Sequence, residues 1–192
     1  MKTVRLLLAL LVGFGTASTA LAGDDPNRHR FATGLSGHNE VHFIAAPTPA
    51  LRGAVSTPAT GTFKARIDDH DDVIHYELSY EGLTSAVAQA HIHFGQRHTV
   101  GGIVVWLCQA TVQAPEAVRA ATPACPQEGT VTGTITPAQV LEAVGQGIAA
   151  GEFDELVAAI RAGRTYANVH TATFGPGEIR GQIGHDRGRG RH

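Results

Sequence analysis

The sequence predicts a mainly β, turn-rich domain with one helical region, and three observations carry that prediction. The chain has 23 glycines while aromatic residues make up only 6% of it, which favours many tight turns over a helical bundle. Ile74, Tyr76, Leu78 and Tyr80 alternate with His75, Glu77 and Ser79, the period-two pattern of a strand with one buried face. Helical spacing is confined to the stretch between Thr136 and Gly163.

The chain opens on a segment that does not belong to the fold. Lys2 and Arg5, an apolar run over residues 6–12 and the small-residue pattern Ala20-Leu21-Ala22 read as a secretory signal peptide over 1–22, cut before Gly23. Its apolar core is short of the roughly 18 residues that suggest a membrane span, and no later run reaches that length. No span is therefore expected after cleavage, and no cysteine stands at the cleavage point to take a lipid. The expected location is periplasmic or secreted. Residues 23–30 read as a flexible N-terminus, 31–184 as the domain and 185–192 as a disordered Arg/Gly tail. About 170 residues then remain, enough for one domain with a real core. Without the signal peptide 13 basic residues face 17 acidic ones, a net charge of −4, which argues against nucleic acid as a partner.

Within the domain, residues 31–35 form the first strand and 37–41 turn into another extended piece. Residues 45–58 hold three prolines and read as an irregular surface excursion. Strands 60–67 and 73–80 make a hairpin through the acidic loop 68–72. That loop lacks the glycine and the ligand spacing of an EF-hand, so a solvated hairpin tip is expected rather than a calcium site. The strand bearing His91 and His93 follows, then a loop over 96–102. The continuous apolar run 103–107 reads as a strand buried on both faces. Residues 109–126 form a cysteine-bounded insertion and 129–134 a short strand. Thr136 and Pro137 suit the start of a first helix reaching Val144, broken by Gly145, Gly147 and Gly151. A second helix over 152–162 carries the stripe Phe153, Leu156, Val157 and Ile160, with Gly163 at its C-terminal cap. Strands 166–170 and 178–183 close the domain.

Cys108 and Cys125 are expected to pair in an oxidising compartment. The loop they close is short, and the chain-entropy account gives it about 3 kcal/mol. Free thiols acting as metal ligands are the alternative.

The chemistry concentrates on histidines. His91 and His93 lie two apart on one strand and so share a face. His170 sits far downstream in a similar strand-like setting. Three imidazoles that meet can hold zinc or copper, with His98 as a fourth ligand from the following loop. Glu178 and Asn168 are candidates to orient the ligating rings. The alternative is structural: a neutral imidazole donates from one nitrogen and accepts at the other, and can knit strands together. Glu178 and Arg180, two apart, likewise read as a structural ion pair. The only methionine is Met1, so no thioether remains after cleavage, and zinc or cupric ion is favoured over cuprous ion. No Gly-x-Ser-x-Gly elbow surrounds a serine and no glycine-rich phosphate loop follows a strand, so no catalytic residue is named.

Several stretches together carry a family resemblance: Leu35-Ser36-Gly37-His38-Asn39-Glu40-Val41, Ala59-Thr60-Gly61-Thr62, residues 76–83, Ala90-His91-Ile92-His93-Phe94-Gly95, residues 162–171, and Gly177-Glu178-Ile179-Arg180-Gly181-Gln182-Ile183. On these the chain resembles the CHRD domain family, named after repeats in chordin, and in particular its single-domain exported bacterial members. The cysteine-bounded insertion and the helix pair are similar to those of bacterial members, whereas His42-Phe43-Ile44 departs from the usual pattern. The resemblance implies an immunoglobulin-like or superoxide-dismutase-like antiparallel β-sandwich with a short helical insert. It implies extracellular binding but no settled activity. The expected role is a non-enzymatic binding or structural module of the cell envelope or secreted fraction, its partner an extracellular or periplasmic protein or a metal ion. The alternative is a His-ligated copper or zinc metalloprotein, in one version superoxide-dismutase-like.

Overall fold

The computed structural model describes residues 29–44, 51–68, 70 and 72–187. Residues 1–22, where a signal peptide is expected, residues 23–28, the first part of the proline-bearing excursion, Asp69, Asp71 and the tail from 188 lie outside the described residues. In chain order the elements are β1 (Arg30–Ser36), β2 (His42–Ile44), β3 (Leu51–Gly53), β4 (Thr60–Asp68), β5 (Val73–Glu81), β6 (Val87–Phe94), β7 (Gly102–Gln109), α1 (Glu116–Arg119), β8 (Gly129–Ile135), α2 (Phe153–Arg161), β9 (Thr165–Thr171), β10 (Ile179–Gln182) and β11 (Gly184–His185). The protein is mainly β, as its turn-rich composition predicts.

Among the described residues nine strands share one antiparallel sheet in the order β7-β6-β9-β10-β1-β4-β5-β8, with β11 against β1; β2 and β3 form a separate ribbon. The sheet curls until its edge strands β7 and β8 approach one another. The hairpin of β4 and β5 pairs continuously from Thr60↔Glu81 to Asp68↔Val73. Alternation along β5 sends Ile74, Tyr76, Leu78 and Tyr80 inward, where they join Leu35, Phe63, Ile92, Leu107, Val169 and Ile179 in one apolar core. Tyr76 spans that core, donating its hydroxyl to the Leu107 carbonyl at 2.6 Å. Burial raises the Tyr76 pKa, so the hydroxyl keeps the proton it donates.

The helical region is half of what the spacing predicts. Around Pro137 the chain makes a single 3-10 turn, Pro137–Gln139, with the Gln139 Oε1 accepting from the Thr136 amide at 2.7 Å. The glycines that follow, at positive φ in Gly145, Gly147 and Gly151, prevent a helix from propagating. The second helix forms as α2, burying Phe153, Leu156, Val157 and Ile160. Gly163 ends it at φ +65°, the left-handed conformation a C-terminal cap takes. A further short helix, α1, lies in the cysteine-bounded insertion, where no apolar periodicity announces it. Cys108 and Cys125 form a disulfide that fastens this insertion to β7. Among the described residues no helix is long and apolar enough to cross a membrane.

Candidate metal centre

The pairing of β6 with β9 builds the site. Its register sets Gln89 opposite His170, His91 opposite Asn168 and His93 opposite Tyr166. Cross-strand partners lie on one face of a sheet, so the two histidine-bearing strands present all these side chains on the same side. Ile92, Ala167 and Val169 alternate with them and enter the apolar core. The imidazoles therefore occupy the outward face of the curled sheet. They are nonetheless buried, with His91 0%, His93 7% and His170 6% exposed, because chain segments around Glu40, Gly101 and Gly175 close over them.

The sequence singled out His91, His93 and His170, and the fold brings these three together. Each offers a nitrogen, and the three nitrogens lie within 4.8 Å of one another. The His91 Nδ1 and His170 Nε2 are 3.1 Å apart, close to the roughly 3.3 Å edge of a tetrahedron whose metal–nitrogen bonds are about 2.0–2.1 Å. The widest separation exceeds such an edge, so a bound ion would draw the rings together by about 1.5 Å.

Hydrogen bonds fix the protons. His170 Nδ1 donates to the Gly175 carbonyl at 2.7 Å and His93 Nδ1 donates to the Gly101 carbonyl at 3.0 Å, since a carbonyl only accepts. Burial lowers the pKa of both rings to about 4, and the His91 pKa also falls well below its ordinary value through burial and the neighbouring His170 and His93. All three are neutral at pH 7. With their Nδ1 protons committed to carbonyls, His93 and His170 turn Nε2 lone pairs toward the cluster. The Nε2 atoms of His91 and His93 are buried with no hydrogen-bond partner. A backbone carbonyl behind the ring and an unpartnered lone pair in front, as at His93, is the arrangement metal-binding histidines use.

Aromatic rings wall the trio. Trp106 of β7 meets His91 edge-on at 4.3 Å between centroids, and Tyr166 stacks on His93 at 4.7 Å with only 2° between planes. The Arg180 guanidinium lies 3.3 Å from the Tyr166 ring centroid, on the face away from His93, because both cannot occupy one face at those distances. Arg180 also donates to the Thr99 carbonyl at 2.8 Å and the Gln96 carbonyl at 3.1 Å, while the Tyr166 hydroxyl accepts from the Gly101 amide at 3.2 Å. Together they pin the loop whose Gly101 carbonyl orients His93.

His98 stands in that loop but is not part of the group. It is exposed, at φ +64°, while the pinned carbonyls on either side hold the loop in place. Glu178 does not reach the imidazoles. Its fully buried carboxylate accepts from the Thr57 hydroxyl at 2.6 Å, the Thr84 amide at 3.0 Å and the Thr171 hydroxyl at 2.8 Å. Nor does it pair with Arg180, which spends its guanidinium on the loop carbonyls and Tyr166. Asn168 does border the trio: its Nδ2 donates to the Glu40 carboxylate at 2.7 Å, and its proximity favours the protonated form of His93 slightly. Sequence reasoning assigned no site role to Glu40, Gly101, Gly175, Tyr166 or Trp106, although Glu40 and Tyr166 lie in stretches that carry the family resemblance. The two glycines contribute backbone carbonyls, which any residue could supply, and the others are recognisable only once the register is known.

A family model described as the CHRD domain matches residues 31–183. No curated protein matches the chain.

Proposed function

We propose, from the premise that the chain belongs to the CHRD domain family, that it is an exported, non-enzymatic module that binds one transition-metal ion through His91, His93 and His170. The single observation that carries this reading is the contact of three buried neutral imidazoles: His91 Nδ1 and His170 Nε2 stand 3.1 Å apart, and His93 Nε2 beside them lacks any partner. A buried acceptor left unsatisfied costs on the order of 1–3 kcal/mol, and a shared cation would relieve that of His93, with the His91 proton passing from Nδ1 to Nε2 as Nδ1 takes the ion. The all-nitrogen set suits zinc or copper, and His93 and His170 are already oriented by carbonyls. A bound ion would supply Lewis acidity, and copper would add redox chemistry. The protein's own part is to hold the rings, keep them deprotonated and limit access by water.

Export is supported by the leader pattern and the Cys108–Cys125 disulfide and is tested by finding the processed chain outside the cytoplasm. The finer architecture is read as an immunoglobulin-like or superoxide-dismutase-like sandwich, supported by the Tyr76 hydroxyl that joins opposite walls of the curled sheet.

Elemental analysis of the purified, desalted protein tests the metal reading. The expectation is about one zinc or copper per chain, abolished in His91→Gln. A second reading, that the trio is structural, is favoured by the 3.1 Å contact in which His91 Nδ1 donates to His170 Nε2. It predicts no stoichiometric metal and a variant altered only in stability. Superoxide turnover after copper loading would separate a redox enzyme from a binding module.

A further inference from the structure

We infer that Asn168 supplies a fourth donor to the metal held by His91, His93 and His170, through its side-chain oxygen Oδ1. The inference rests on the metal reading of the trio and extends it to a neutral side-chain amide.

Three observations converge on that oxygen. The first is orientation. Asn168 Nδ2 donates to Glu40 Oε2 at 2.7 Å, and a carboxylate only accepts. The amide therefore cannot be flipped, and Oδ1 is the atom left over. Glu40 is itself held, its other oxygen accepting from the Val41 amide at 2.9 Å. Gly177 packs against the same pair: a side chain there would collide with Asn168 Nδ2 and the Glu40 carboxylate.

The second is the missing partner. Asn168 is 2% exposed, and its Oδ1 is buried without a hydrogen bond, as are the Nε2 atoms of His91 and His93. Buried carbonyl oxygens are nearly always satisfied, so this one needs an explanation.

The third is position. Asn168 faces His91 across the β6–β9 ladder and lies two residues from His170 on the same face. It is also the diagonal neighbour of His93 in the same ladder. His93 carries its single proton on Nδ1, turned away to Gly101. The Asn168 oxygen and His93 Nε2 are thus two neighbouring buried acceptors with no hydrogen bond to either. A cation is the group that turns such a meeting from repulsive to attractive. Three nitrogens and one oxygen, all neutral, complete the four-coordinate set that zinc takes, and cupric ion accepts the same donor types.

Zinc titration of the wild-type, uniformly 13C- and 15N-labelled protein at neutral pH tests this without a variant. The expected result is that the Asn168 Cγ and Nδ2 resonances move in step with the ring signals of His91, His93 and His170, saturating at one zinc per chain. Asn168→Ala should then bind zinc at least about tenfold more weakly. If zinc binds at one equivalent and moves the ring signals while the Asn168 amide stays still, Asn168 is no ligand and the three-histidine site stands alone. If zinc leaves all four residues unmoved, the metal reading itself falls.

Discussion

Burial holds three imidazoles neutral, and that makes acid the natural probe of the site. Take the metal-free protein, kept so with a chelator. The His93 and His170 pKa values of about 4 lie below the ordinary 6.5, so the unfolded chain takes up protons first as the pH falls. Their contribution to stability is complete above about pH 6.5, declines as the pH drops toward 4, and is fully lost below it. Each ring accounts for on the order of 3 kcal/mol across that window. Urea midpoints between pH 7 and 4 should therefore fall steeply, and in His170→Gln the slope should be shallower. A flat profile would mean the rings are already protonated or freely hydrated in the fold. Glu178 makes a different prediction at the same scale. Its carboxylate accepts three hydrogen bonds from Thr57, Thr84 and Thr171, and bonds to a charged group are worth about 1.5–3 kcal/mol each. Glu178→Ala should cost on the order of 3 kcal/mol or more in a urea titration. Glu178→Gln should retain its metal; loss of metal there would restore the ring-orienting role the structure does not give it.

At the scale of elements, the site is a strand pair plus a clamped loop. The ladder of β6 and β9 sets the rings side by side, while the stretch from Gln96 to Gly101 delivers the carbonyl that aims His93. Arg180, 2% exposed, ties β10 to that loop through two carbonyls and the face of Tyr166. Arg180→Ala should release the loop with the rest of the sheet intact. Hydrogen exchange should then show the Gly101 amide at least about tenfold less protected, and metal affinity should drop, while the β4–β5 hairpin keeps its protection. Unchanged exchange at Gly101 would mean that the loop is held without the arginine. The helical region teaches a complementary lesson. Phe153, Leu156, Val157 and Ile160 form an uninterrupted stripe, and α2 appears. Val140, Leu141 and Val144 have the same spacing, but three glycines follow at positive φ, and only a single turn survives. A stripe needs unbroken neighbours to pay the nucleation cost of a helix.

For the whole molecule, a ligand that binds only the folded chain stabilises it by mass action. Free zinc at one hundred times its dissociation constant should add about 2.7 kcal/mol, which for a domain of this size raises the Tm by roughly 5–10 °C. The rise should be absent in His91→Gln, and a wild-type Tm indifferent to zinc and copper would contradict the proposed function. Much of the fold behind these predictions is legible in the chain. The alternation of Ile74, Tyr76, Leu78 and Tyr80 and the capping of α2 are local facts, because each depends on residues a few positions apart, and with two cysteines in the chain the pairing of Cys108 with Cys125 has no rival within it.

Local pattern also placed His91 and His93 on one face and marked His170 as their candidate partner. What no local pattern could settle was the register that brings residue 170 to residue 91, the outward rather than inward face they share, and the loops that bury them there. The same holds for Asn168, Glu40 and Arg180, whose roles depend on which atoms they meet: an amide oxygen becomes a candidate ligand only when its own nitrogen is occupied and imidazoles stand beside it. Side-chain direction along a strand repeats every two residues and can be read from sequence. Proton placement among buried groups depends on contacts between segments up to 128 residues apart, and only the tertiary structure decides it.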